Sequence, residues 1–92
     1  MKGGNPNRFL EYIFNGVDTV YVYNGKKFWG QGWTISTGFH YEIYQCEPLV
    51  EGFHWIYNGE NQRDCQQAFM RAPIFDGMTF WEAEQDIEWV DY

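Results

Sequence analysis

Ninety-two residues with 13 acids against 6 bases and a formal charge of −7 describe one small acidic domain. Lys and Arg are the groups that hold a phosphate backbone, so their scarcity argues against direct nucleic-acid binding. With 5 Trp, 7 Tyr and 8 Phe, the chain has more rings than so short a domain can bury, and some must meet solvent or a partner.

The charge is unevenly spread. Residues 1–40 carry four bases against two acids, and residues 41–92 carry two bases against eleven acids. The second half therefore suits a basic partner. No apolar run is long enough to span a membrane. The opening "MKGGNPNRFLEY" lacks the apolar stretch of a signal peptide. The expected compartment is the cytoplasm, where thiols stay reduced, so Cys46 and Cys65 are expected not to form a disulfide.

Along the chain, "NPNRFLEYIFNG" predicts a short helix with Asn5 as N-cap, Pro6 in the first turn and Gly16 as the stop. "VDTVYVYNGKKFWG" predicts a hairpin turning at Asn24-Gly25, where both central positions want positive φ. "WTIS" and "FHYEIYQC" predict further strands. In the second, Phe39, Tyr41, Ile43 and Gln45 alternate with His40, Glu42, Tyr44 and Cys46. "FHWIY" predicts one more strand. "NQRDCQQAFMRAP" has helical spacing at Cys65, Ala68, Phe69 and Ala72, and Pro73 stops it. The expected fold is α+β: a small antiparallel sheet of about four to five strands, a short N-terminal helix and one or two C-terminal helices.

The last segment, "TFWEAEQDIEWVDY", has two readings. Thr79 and Glu82 form a capping box, which favours a helix over residues 79–88. That helix would turn Phe80, Ala83, Ile87 and Val90 inward and leave Trp81, Trp89 and Tyr92 outside among Glu82, Glu84, Asp86, Glu88 and Asp91. Exposed aromatics ringed by carboxylates make these eight residues the candidate partner-binding set. A strand would instead put Glu82, Glu84, Asp86 and Glu88 on one face and Ala83, Gln85, Ile87 and Trp89 on the other.

Two alternatives accompany that reading. His40, Cys46, His54 and Cys65 are all the His and Cys in the chain, and together they make a full tetrahedral set for zinc. A zinc-stabilised interaction module is the first alternative, although the spacings match no standard zinc motif. The strand aromatics Trp29, Trp33, Trp55, Tyr21, Tyr23, Tyr41, Tyr44 and Tyr57 could stack sugars, which makes a carbohydrate-binding module the second. Catalysis is the minority reading. Ser36 has no adjacent base signature, and "GQGWTISTG" lacks the Lys and the strand-to-helix context of a phosphate loop.

In overall character the chain resembles the small acidic counter-defence proteins of bacteriophages, anti-CRISPR proteins in particular. The acid block Asp76, Glu82, Glu84, Asp86, Glu88 and Asp91, the aromatic excess and the single compact domain carry the resemblance. It implies a non-enzymatic inhibitor in the host cytoplasm. Such an inhibitor would bind a basic region of a nuclease complex such as Cas9, as a DNA mimic or by locking a domain. Carboxylates of the tail, with Glu42, Glu47 and Glu51, would pair with Lys and Arg that normally hold phosphate.

Overall fold

The computed structural model describes residues 1–90, and its elements follow the local signals up to residue 83 with two differences: "WTIS" is no separate strand, since residues 33–35 end the long second strand of the hairpin, and the strand expected over "FHWIY" runs from Trp55 to Gly59. Helix α1 spans Pro6–Asn15. The Asn5 side-chain oxygen accepts from the Asn7 and Arg8 amides, at 2.8 and 3.4 Å, and Gly16 ends the helix at φ 69°. Strands β1 (Thr19–Tyr23) and β2 (Lys26–Ile35) are joined by Asn24-Gly25, at φ 52° and 76°, as the two-residue turn requires.

Strands β3 (Gly38–Glu47) and β4 (Trp55–Gly59) follow. Helix α2 spans Gln62–Arg71, capped by Asn61. A one-turn helix α3 (Phe80–Ala83), a 3₁₀ turn (Glu84–Asp86) and strand β5 (Ile87–Val90) complete the described chain. The sheet has order β4-β3-β2-β1-β5, and every neighbouring pair is antiparallel. The α+β expectation holds.

All three helices contribute to one core on a single sheet face. Phe9, Leu10 and Ile13 from α1, Cys65 and Phe69 from α2, and Phe80 and Ala83 from α3 meet Tyr21, Phe28, Tyr41, Ile43 and Ile87 from the strands. The middle of β2 is thin. A Cβ at Gly30 or Gly32 would stand 2.5 Å from an atom of the Tyr41 ring system, so the two glycines leave the space that the tyrosine fills. Tyr41 then bonds Thr19 through their hydroxyls at 3.2 Å.

The tail departs from the helix expected over 79–88. The cap forms as read, with the Glu82 carboxylate accepting from the Thr79 amide at 2.9 Å and from its hydroxyl at 3.0 Å. The helix nevertheless stops at Ala83, and residues 87–90 pair with β1, Ile87 opposite Tyr23 and Trp89 opposite Tyr21. The correction has a physical cause. A helix continued past Asp86 would leave the edge of β1 without a partner, whereas Ile87, Trp89 and Val90 are good strand formers that supply one. Lys2 caps the new edge in turn: its amide donates to the Ile87 carbonyl at 2.9 Å, and its carbonyl accepts from the Trp89 amide at 2.8 Å. No helix among the described residues is long and apolar enough to cross a membrane.

Candidate protein-interaction surface

Side chains alternate across a strand, so the residues out of phase with the core form a second face. The register places Val20, Trp29 and Tyr44 in one cross-strand row, and Gln31, Glu42 and Ile56 in the next. Trp33, His40 and Asn58 form the third. The Trp29 and Tyr44 rings lie 5.8 Å apart, and Trp33 lies over His40 at 4.7 Å.

A polar chain runs through this face. Gln31 donates to Glu42 at 3.0 Å. The two ring nitrogens of His40 meet Glu42 at 2.8 Å and Asn58 at 2.7 Å. Desolvation on the sheet pulls the imidazole down, but its bonds to Glu42 and Asn58 and the Glu42 charge outweigh that pull and hold it above its ordinary value.

The loop after β3 extends the face. The Glu47–Pro48 bond is cis. The Gln45 side-chain amide donates to the Pro48 carbonyl at 2.7 Å, and the Val50 amide donates to the Gln45 carbonyl at 3.3 Å. The turn so held presents Leu49 at 80 % exposure and Phe53 at 57 %. With Tyr44, Val50, Glu51 and Gly52 they line a groove of about 590 Å³.

Large exposed apolar side chains among the described residues are Val17, Trp33, Leu49, Val50, Phe53, Ile56 and Trp81. Five of these belong to this face and its loop, and that concentration makes it the candidate interaction surface. Trp33 figured among the strand aromatics read from sequence. Leu49, Val50, Phe53 and Ile56 did not stand out, because four apolar residues interrupted by Glu51, Gly52, His54 and Trp55 show no periodicity.

The eight tail residues separate. Trp81 remains 48 % exposed, beside the buried Phe80. Trp89 does not stand outside as a helix would leave it. Its ring packs edge-on against Phe9 and Tyr12. Glu82 is engaged in the cap, and Glu84 forms an ion pair with the Met1 amino group. Asp86 and Glu88 are exposed and form no ion pair among the described residues. Asp91 and Tyr92 lie outside the described residues.

The strand aromatics also separate. Tyr21, Tyr23 and Tyr41 are buried in the core, and Trp55 and Tyr57 pack against it. Trp29, Trp33 and Tyr44 are on the second face.

The four His and Cys residues are not brought together. His40 and Cys46 lie on the second face, and Cys65 is fully buried on the helix side of the sheet. His54 bonds the Ile74 carbonyl at 2.9 Å, and the Cys46 thiol donates to the Lys27 carbonyl at 3.4 Å. Both thiols are unpaired, and burial pushes Cys65 up to about 12. Among the described residues no three His, Cys, Asp or Glu are grouped as a metal ion would need. Comparison with protein-family models, with curated proteins and with solved structures returns no match.

Proposed function

We propose that the chain is a non-enzymatic binding protein that docks on a basic protein surface. In this reading it acts as the anti-CRISPR-like inhibitors do, covering the nucleic-acid-binding region of a nuclease complex such as Cas9. One observation carries the reading: five of the large exposed apolar side chains gather on one sheet face and its loop, in a chain of net charge −7. Trp33 and Ile56 supply apolar contact, and the exposed carboxylates Glu47 and Glu51 at the loop supply attraction to Lys and Arg. Asp86, Glu88 and the exposed Trp81 add a second acidic margin outside that face.

The test is binding of the purified chain to a guide-loaded Cas9 complex, with and without DNA, across a salt series. Paired Trp33→Ala and Ile56→Ser substitutions should weaken binding about tenfold or more, as central interface anchors do. Asp86→Lys with Glu88→Lys should flatten the salt dependence. Binding that is absent, or indifferent to both pairs and to salt, overturns the proposal.

A further inference from the structure

We propose that the groove between Tyr44 and the 49–53 loop receives one protruding segment of the partner, a leucine or aromatic anchor flanked by lysine or arginine. The inference rests on the protein-binding reading above and assigns its chemistry at one place.

Three observations point to this occupant. The groove is already built. The Gln45 side chain holds Pro48, the Val50 amide is tied back to Gln45, and Cys46 pairs with Leu49 across the turn. A loop held in its binding shape loses little freedom on docking. Its walls are apolar: Tyr44 from the sheet, and Leu49, Val50 and Phe53 from the loop, around about 590 Å³. The groove is open on its solvent side, which suits a side chain presented by a partner segment.

The charge at the margin has one sign in excess. Glu51 is part of the wall. Glu47 precedes the 49–53 loop by two residues, 70 % exposed in its side chain, with Lys27 at 3.6 Å as its ion-pair partner. An apolar anchor alone would fill the walls and leave Glu51 without a counter-charge. A basic flank supplies one. A second copy of this chain is the wrong occupant, because it would set Glu47 and Glu51 against another strongly acidic surface.

Two synthetic peptides test this, sharing a central Trp-Leu pair and differing only in Lys or Glu flanks. Each is titrated into the isotope-labelled full chain and followed by amide resonances. The Lys peptide should shift residues 44 and 49–53, and the Glu peptide should bind at least about tenfold more weakly. Leu49→Ser with Phe53→Ser should weaken the Lys peptide about tenfold. Glu51→Lys should narrow the gap between the two peptides. These positions are exposed, and an unchanged circular-dichroism spectrum verifies the fold. Equal binding of both peptides, or shifts confined to residues 82–88, overturns the inference. On the whole Cas9 complex the two readings separate. If Trp33→Ala with Ile56→Ser weakens binding while Leu49→Ser with Phe53→Ser does not, the groove is wrong and the broader reading stands. If neither pair matters and binding is also indifferent to Asp86→Lys with Glu88→Lys and to salt, both fall.

Discussion

The Trp89 ring stands edge-on to Phe9, with centroids 5.3 Å apart, and Tyr12 closes on it from the same helix at 4.9 Å. Gly4 lies so close that a Cβ there would come 2.4 Å from the indole. The second tryptophan of the tail is therefore held by the chain itself, whereas Trp81 is not.

The two tryptophans should behave oppositely on truncation. Trp89→Ala removes a packed ring and leaves a void beneath α1, so it should cost roughly 2–4 kcal/mol of unfolding free energy. Trp81→Ala removes a half-exposed ring and should cost less than about 1 kcal/mol. Urea unfolding of both variants checks this. A larger loss at Trp81 would mean that the tail packs otherwise.

Most of the fold was legible because its signals are local. Asn5, Pro6 and Gly16 bound α1, Asn24-Gly25 sets the hairpin, and the alternation of Phe39, Tyr41 and Ile43 gives the inward face of β3. The tail was legible only to Ala83. Beyond it two patterns coexist: Phe80, Ala83 and Ile87 fit a helix, and Ile87 and Trp89 fit a strand. The choice is made by the open edge of β1, a distant feature that no window around residue 87 contains. The second sheet face was illegible for a related reason. Whether Trp33 or Tyr41 points outward depends on which face the helices cover, and that is a tertiary fact.

Gly32 should tolerate no side chain. A Cβ there would meet the Tyr41 ring at 2.5 Å and the His40 carbonyl oxygen at 2.8 Å, and backbone cannot swing aside as a side-chain tip can. Gly32→Val should destabilise by about 1–3 kcal/mol through overpacking, despite the better strand propensity of valine. Gly25→Ala isolates the other effect, since nothing lies within 4 Å of its Cβ position and its φ of 76° is the only obstacle. Its penalty should be about 1 kcal/mol. Equal stability of Gly32→Val and the parent would show that Tyr41 does not lie across β2.

Tyr21 presents the reverse case. Its hydroxyl is buried with no hydrogen-bond partner among the described residues, and desolvation, followed by the nearby Tyr41, raises its pKa well above the usual value. An unsatisfied buried hydroxyl opposes folding, so Tyr21→Phe should leave stability unchanged or raise it by about 1 kcal/mol. Tyr41→Phe should lower it, because it orphans the Thr19 hydroxyl. Thermal unfolding of the pair decides the matter, and a destabilised Tyr21→Phe variant would reveal a partner for that hydroxyl.

The two thiols should differ in reactivity. Burial disfavours the Cys65 thiolate, and the side chain is sealed between α2 and the sheet. Cys46 is half-buried at the end of β3, where the sheet opens to the loop. A maleimide should label Cys46 in the folded chain and reach Cys65 only after unfolding, as mass mapping would show. Labelling of Cys65 at the same rate as Cys46 would place it outside the core.

His40 gives the second face a pH dependence whose sign can be worked out. Desolvation on the sheet lowers its folded pKa, but the bonds to Glu42 and Asn58 and the Glu42 charge outweigh that and hold it above the ordinary value of about 6.5. A group raised on folding binds its proton more tightly in the native state. Its stabilisation is fully present below the unfolded pKa and is lost as pH rises through the folded pKa. The difference in unfolding free energy between the parent and His40→Gln should therefore be larger at pH 5.5 than at pH 8.5. Glu42→Gln should remove most of that pH dependence without removing the row itself. The His40 ring proton resonance, followed by NMR in the folded chain and in urea, gives the two pKa values directly. A folded value at or below the unfolded one would mean that desolvation on the sheet wins over the Glu42 contact.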